Sequence, residues 1–211
     1  GLLSVVHVSM SDPSQAPQAS AVMGGGWTVY ASLDNLYVAA NSNWGWWFWG
    51  GAYEPGTDIH KFQLNDGDVA YSASGHVDGW LMNQFAMSEY DGNLRVAATA
   101  EDWWWGRGSG GQGSLVAVLA DDNEGRLRTI GQVDGIAPGE MIYGVRFDGD
   151  RGYVVTFRQV DPLHVVDLST PEEPVVRGEL QIPGYSSYLH PMGDGYLLAV
   201  GMDGTESGLS G

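Results

Sequence analysis

Short segments of alternating apolar and polar residues, each ended by a turn, run along the whole chain. Four of them begin with Asn or Gly and continue with apolar or β-branched residues; they occupy residues 35–40, 93–98, 152–157 and 195–200. Alternation with a period of two is typical of β-strands, and the Gly, Asp, Asn and Pro clusters between segments are typical of turns. The segments recur every 40 to 60 residues or so, and strand-only repeats of roughly this length indicate a β-propeller.

Aligning the repeats predicts four antiparallel strands in each complete unit, or blade. The predicted strands are 28–32, 36–40, 58–64 and 70–77; then 83–90, 94–99, 115–120 and 128–133; then 142–147, 153–157, 163–168 and 175–182. The chain therefore divides into a half blade (1–26), three blades (27–79, 80–135, 136–184) and a second half blade (185–211). The two halves either join into one composite blade or belong to a larger ring, and the sequence favours the larger ring.

The nine tryptophans of the chain fall in only two kinds of connection. Those between the second and third strands of a blade carry seven: Trp44, Trp46, Trp47, Trp49, Trp103, Trp104 and Trp105. Trp27 and Trp80 lie in connections between successive blades. Because both kinds of connection emerge on the same side of an up-and-down blade, we expect every tryptophan at one edge of the ring.

Exposed aromatic clusters of this size mark binding surfaces, since monomers rarely leave large apolar patches in water. The first interpretation is a platform for a sugar chain, a peptide or a protein. In a second interpretation, the indoles pack on one another and cover the ring as a lid. In a third, they are buried against blades or a domain that this sequence does not include. The candidate ligand-binding residues are Trp44, Trp46, Trp47, Trp49, Trp80, Trp103, Trp104 and Trp105, with Arg107 and Arg158 as polar contacts.

Charge and composition limit the kinds of partner, membrane segment and metal site that the chain can have. The net charge of −17 repels phosphate backbones, so nucleic acid is not an expected partner. No apolar stretch approaches the ~18 residues that span a bilayer, and residues 1–10 alternate like a strand rather than a signal peptide. The chain has no cysteine, its five histidines lack ligand spacing, and the acidic turns at 121–123 and 148–150 lack the full calcium-loop pattern. We therefore expect no metal, no cofactor and no catalytic residue.

The amino-acid sequence resembles that of bacterial and archaeal secreted proteins with a C-terminal β-propeller, distantly related to WD40 repeats. The resemblance lies in residues 141–168, 178–191, 81–90 and 94–98. The resemblance implies an extracytoplasmic or cell-surface propeller of uncharacterised function, in a longer protein. It brings no catalytic residues with it.

The sequence thus predicts a non-catalytic recognition module that binds a glycan, peptide or protein through its tryptophan-bearing loops. The alternative is a glycan-active hydrolase with its site at the mouth of the propeller channel. Oligomeric state and ligand identity are open at this stage.

Overall fold

The computed structural model describes residues 1–42, 56–65, 68–100, 113–157, 161–182, 184–193 and 195–202. The predicted all-β fold is confirmed, since these residues form three four-stranded and two two-stranded antiparallel sheets. The strands are β1 (Leu2–His7), β2 (Gln18–Met23), β3 (Thr28–Ala31), β4 (Asn35–Asn41), β5 (Gly56–Asn65), β6 (Asp68–Asp78), β7 (Met87–Tyr90), β8 (Asn93–Thr99), β9 (Ser114–Asp121), β10 (Leu127–Ile136), β11 (Met141–Asp148), β12 (Arg151–Phe157), β13 (Asp161–Asp167), β14 (Val175–Ile182), β15 (Tyr185–Gly193) and β16 (Tyr196–Met202).

Each four-stranded sheet is a meander in which consecutive strands pair: β3-β4-β5-β6, β7-β8-β9-β10 and β11-β12-β13-β14. We call these sheets blades 1, 2 and 3. Local turn chemistry sets the pairing of the hairpins. Between β7 and β8, Asp91 and Gly92 have φ of 50° and 78°, and positive φ at both central positions is what a two-residue type I′ turn requires.

The hydrophobic core lies between the blades, because the central strands are buried on both faces. Along β9, Leu115, Ala117 and Leu119 pack toward blade 1, and Val116 and Val118 pack toward blade 3. Alternate side chains of a strand point to opposite faces, so each interior blade contributes to two cores. A strand of this kind reads as a continuous apolar run, as residues 115–119 do in the sequence.

The two-stranded sheets, β1–β2 and β15–β16, flank the three blades. β2 contacts β6 of blade 1, and β15 contacts β11 of blade 3. The described residues place the two pairs in separate sheets rather than in one four-stranded sheet.

One predicted strand is shorter than the sequence indicated. Residues 83–90 were expected to be a single strand, but β7 begins only at Met87 and Gln84–Ala86 forms a turn of 3-10 helix. The side chain of Asn83 accepts a hydrogen bond from the Phe85 backbone N–H at 2.9 Å and caps this turn. An Asn that bonds its own backbone two residues on favours a turn over a strand.

Charged side chains tie blade 1 to blade 2. Lys61 on β5 donates a hydrogen bond from Nζ to Oδ2 of Asp121 at 3.0 Å, and Ser72 donates to the same oxygen at 3.1 Å. The Lys61 side chain is 9% exposed and that of Asp121 13% exposed. Glu89 on β7, the first strand of blade 2, accepts hydrogen bonds from Ser32 Oγ at 2.7 Å and Asn35 Nδ2 at 3.0 Å.

The side chain of Arg95 connects blades 2 and 3. Its guanidinium lies 4.8 Å from the ring centroid of Tyr90 and 5.0 Å from that of Phe147. It donates to the Gly149 carbonyl and, at 2.8 Å, to Ser88 Oγ. Burial lowers the pKa of Arg95 to about 10, which still leaves it charged at neutral pH.

Candidate functional site

The loop that carries four tryptophans and the loop that carries three are anchored at the same edge of the blades. The chain leaves β4 at Asn41 and enters β5 at Gly56, and it leaves β8 at Thr99 and enters β9 at Ser114. We call this edge, where these four strands begin or end, the rim. It is the edge at which successive blades are also connected.

Gly79 and Trp80 join the two anchors of the rim. The Gly79 carbonyl accepts a hydrogen bond from Thr57 Oγ1 at 2.8 Å, at the base of the first loop. The backbone of Trp80 exchanges two hydrogen bonds of 3.0 Å with Thr99, at the base of the second. Gly79 has φ of +85°, and a Cβ there would overlap the backbone of Thr99. Only glycine fits this junction without strain.

Trp27 and Trp80 have equivalent places in blades 1 and 2. The Trp27 backbone N–H donates to Ala39 on β4 at 2.9 Å, as the N–H of Trp80 donates to Thr99 on β8. The Trp27 side chain is exposed at 78%, whereas Trp80 is half-buried. The rim therefore presents at least one open indole in the part of the chain that the structure describes.

Most of the predicted site residues lie outside the described residues: Trp44, Trp46, Trp47, Trp49, Trp103, Trp104, Trp105, Arg107 and Arg158. Trp80 is the one that the structure describes, and it lies at the rim. That the indoles of both loops share this edge stays a prediction, supported by the positions of the four loop anchors.

Two carboxylates and an imidazole lie just inside the rim on blade 1, a group that sequence reasoning missed. His76 Nδ1 is 2.9 Å from Asp58 Oδ1, and its Nε2 is 3.8 Å from Asp78 Oδ1. Asp58 and His76 are opposite each other in the β5–β6 register. Such groups offer hydrogen bonds to the hydroxyls or amides of a ligand.

A hydroxyl, an imidazole and a carboxylate also meet near the rim of blade 3, but not as a catalytic triad. Thr156 Oγ1 donates to Glu140 Oε2 at 2.6 Å and lies 3.4 Å from His164 Nε2. Thr156 has no exposed surface, so no substrate reaches its oxygen. Its proton is held by the carboxylate rather than by the imidazole that a nucleophile requires. The trio holds the strand end in place.

Two buried histidines predict a pH dependence of stability. Burial lowers the pKa of His164, and this effect outweighs the opposing one of Glu179 and Glu140, whose negative charges raise that pKa. Burial likewise lowers the pKa of His60 and outweighs the opposing effect of Asp58. In the unfolded chain both histidines take up a proton near the ordinary His pKa of about 6.5, whereas in the folded protein they stay neutral to lower pH. We expect the free energy of unfolding to fall as the pH drops from about 7.5 to about 5. Urea unfolding across this range measures it.

The matched comparison for this prediction is a His60→Gln/His164→Gln variant, which removes both buried imidazoles. Its stability should vary less between these two pH values than that of the unchanged chain. An equal slope in both proteins would mean that other groups cause the effect.

Neither a metal cluster nor a membrane helix is found in the described parts of the chain. No group of three or more His, Asp or Glu side chains there is arranged to hold a metal ion. No helix within them has the length and apolar character needed to cross a membrane.

Comparison with known proteins assigns the family. The family model of the β-propeller domain matches residues 1–211, and the chain belongs to this family. An uncharacterized protein of Methanocaldococcus jannaschii is 45% identical over 147 residues, which cover 70% of this chain and 22% of that protein. An uncharacterized protein of Archaeoglobus fulgidus is 43% identical over 147 residues, with 70% and 21% covered. The matched residues thus cover about a fifth of the length of each of these two relatives.

Proposed function

We propose that this β-propeller is a recognition module that binds a glycan, peptide or protein partner through the rim. The observation that carries the proposal is the junction at Gly79–Trp80, which ties the bases of both tryptophan-bearing loops to one point. Because the two loops are anchored side by side, we expect their indoles to lie within reach of one ligand. The proposal includes an extracytoplasmic place for the module, as the resemblance to secreted propeller proteins implies.

The chemistry of the rim favours an uncharged polysaccharide as the first ligand to test. Indole faces stack on the apolar faces of sugar rings, and the Asp58–His76 pair supplies hydrogen-bonding partners for hydroxyls. The net charge of −17 opposes an anionic polymer at neutral pH. A peptide or protein ligand would use the same indoles as anchors at the centre of an interface.

Replacing Trp103, Trp104 and Trp105 together by alanine tests this function. We expect the triple variant to bind the ligand found on a glycan or peptide array at least about tenfold more weakly, because aromatic anchors dominate such interfaces. Titration by calorimetry measures the loss. Circular dichroism and thermal unfolding verify that the variant is folded.

The matched control removes apolar side chains from the opposite edge. Leu33→Ala/Tyr196→Ala changes two side chains that are 95% and 74% exposed; Leu33 lies in the turn between β3 and β4, and Tyr196 is the first residue of β16. This variant should bind like the unchanged chain. Equal binding by the triple tryptophan variant and the control would refute recognition through the rim.

The alternative hydrolase makes a different prediction. A glycan hydrolase at the channel mouth would release product from the bound polysaccharide, and one carboxylate substitution would abolish turnover. A recognition module binds the polysaccharide and leaves it intact.

A further inference from the structure

A cavity lies between the first strands of the three blades, away from the rim. It measures about 400 Å³ and its lining includes Tyr30, Gln84, Phe85, Met87, Arg146 and Phe147. These residues come from β3, the 84–86 turn, β7 and β11, which are the first strand of each blade and the turn that precedes β7. The 84–86 turn contacts both β3 and β11, so the cavity spans all three blades. Arg146 lies two residues before the end of β11 that is remote from the rim.

Arg146 in this cavity has no anionic partner among the described residues. Its Nε–H is buried and donates to no hydrogen-bond acceptor there. Arg128 pairs with Asp122 at 2.6 Å and Arg177 with Asp167 at 2.9 Å, and Arg95, which has no carboxylate partner, donates to Gly149 and Ser88 instead. A half-buried cation with neither a carboxylate nor a hydrogen-bond acceptor among the described residues is unexpected, because desolvating an unpaired charge is costly.

The surroundings of Arg146 are aromatic. Its guanidinium carbon lies 5.6 Å from the ring centroid of Phe85. The Phe85 ring packs edge-to-face on Tyr188 of β15, with centroids 6.0 Å apart. The Phe85 ring thus forms part of the cavity wall near the guanidinium. Gln84 is exposed beside it and offers an amide donor and acceptor.

This combination defines a ligand class. A planar guanidinium matches a carboxylate through two parallel hydrogen bonds, and one arginine balances one negative charge. The apolar part of the lining, at Val29 and Phe85, suits a hydrophobic body, and cavities of roughly 300–1,000 Å³ hold small organic ligands. We propose that this cavity binds a small aromatic or aliphatic monocarboxylate, with its carboxylate on Arg146 and its apolar body against Phe85 and Val29. This site is independent of the recognition surface at the rim.

Phenylacetate and its neutral isostere phenylacetamide test the proposal on the 211-residue chain. Titration followed by saturation-transfer NMR and calorimetry should give saturable binding of phenylacetate, with a Kd on the order of millimolar for so small a ligand. Phenylacetamide should bind at least about tenfold more weakly, because it lacks the charge that Arg146 recognises. Equal affinities would overturn the assignment, as would the absence of saturable phenylacetate binding.

Arg146→Gln should weaken phenylacetate binding about tenfold or more, since it removes the cation. Gln84→Glu provides a second variant whose altered side chain is exposed; it adds a negative charge to the lining of the cavity that Arg146 also lines, and should abolish binding without removing a core contact. Arg128→Gln is the matched control, with the same loss of charge on the outer strand β10, and should leave affinity unchanged. Wild-type affinity in both Arg146→Gln and Gln84→Glu would refute the site. The Trp103–Trp105 triple variant should retain phenylacetate binding, which separates this proposal from the rim.

Discussion

Replacing Lys61 by methionine is expected to lower the free energy of unfolding by about 3 kcal/mol or more, as removal of one member of a buried ion pair does. Lys61 is the single lysine of the chain, and its Nζ is 3.0 Å from Asp121 Oδ2 across the interface of blades 1 and 2. Methionine keeps the length of the side chain but leaves Asp121 with a largely buried, uncompensated charge. Urea unfolding monitored by tryptophan fluorescence measures the change.

A double-mutant cycle with Asp121→Asn isolates the ion pair. The double variant should be less destabilised than the sum of the single variants, because the uncompensated carboxylate is gone. Arg128→Gln is the control, since the Arg128 side chain is 55% exposed and surface pairs contribute about 0–1 kcal/mol. A Lys61→Met variant as stable as the Arg128→Gln variant would contradict a structural role for the buried pair.

Gly131→Ala is expected to lower the free energy of unfolding by about 2–3 kcal/mol, through overpacking of the interface between blades 2 and 3. A Cβ at Gly131 would overlap the Pro171 carbonyl and lie 2.6 Å from the carbonyl carbon of Glu172. These are backbone atoms of the turn between β13 and β14, so no side-chain rotation relieves the overlap. Chemical denaturation of the two proteins at the same pH measures the difference.

Gly178 is the matched control for Gly131, because the two glycines are equivalent positions in the last strands of blades 3 and 2. No described atom lies within 4 Å of a Cβ built at Gly178. Gly178→Ala in the 211-residue chain should therefore leave stability within about 0.5 kcal/mol of the original. Equal destabilisation by both substitutions would argue against the close approach of blades 2 and 3.

The strands and their order follow from local features of the sequence. Alternating residues and Gly, Asp, Asn or Pro turns recur in each blade, so the alignment of repeats predicts twelve strands of the three blades to within a few residues. The first part of the 83–90 strand is the exception. There Asn83 caps a 3-10 turn and Trp80 bridges Thr99 of β8, and the second of these contacts depends on a distant part of the chain.

Contacts between blades were not predictable, because their partners are far apart in sequence. The Lys61–Asp121 pair and the stacking of Arg95 between Tyr90 and Phe147 depend on how neighbouring sheets pack. The same holds for Arg146, whose sequence context is an ordinary strand. Its position in the cavity depends on how the three blades pack together.

The candidate rim was predictable in outline. The positions of tryptophans relative to the strands identify the connections that carry them, and blade topology then predicts a shared edge. The Gly79–Trp80 junction and the Asp58–His76 pair required the three-dimensional register of β5, β6 and β8.

The distance between the two tryptophan-bearing loops is the measurement that tests this account most directly. The chain has no cysteine, so cysteines introduced in pairs can be spin-labelled at chosen positions. Gly45→Cys/Gly106→Cys places one spin label in each loop. The control Gly45→Cys/Glu124→Cys places the second label in the turn at the opposite edge of blade 2. Pulsed electron spin resonance should give a clearly shorter mean distance for the first pair, since a blade is roughly 25 Å from edge to edge along strands of about eight residues. A longer distance for the 45–106 pair than for the 45–124 pair would place the indoles at opposite ends of the propeller and contradict a common binding surface.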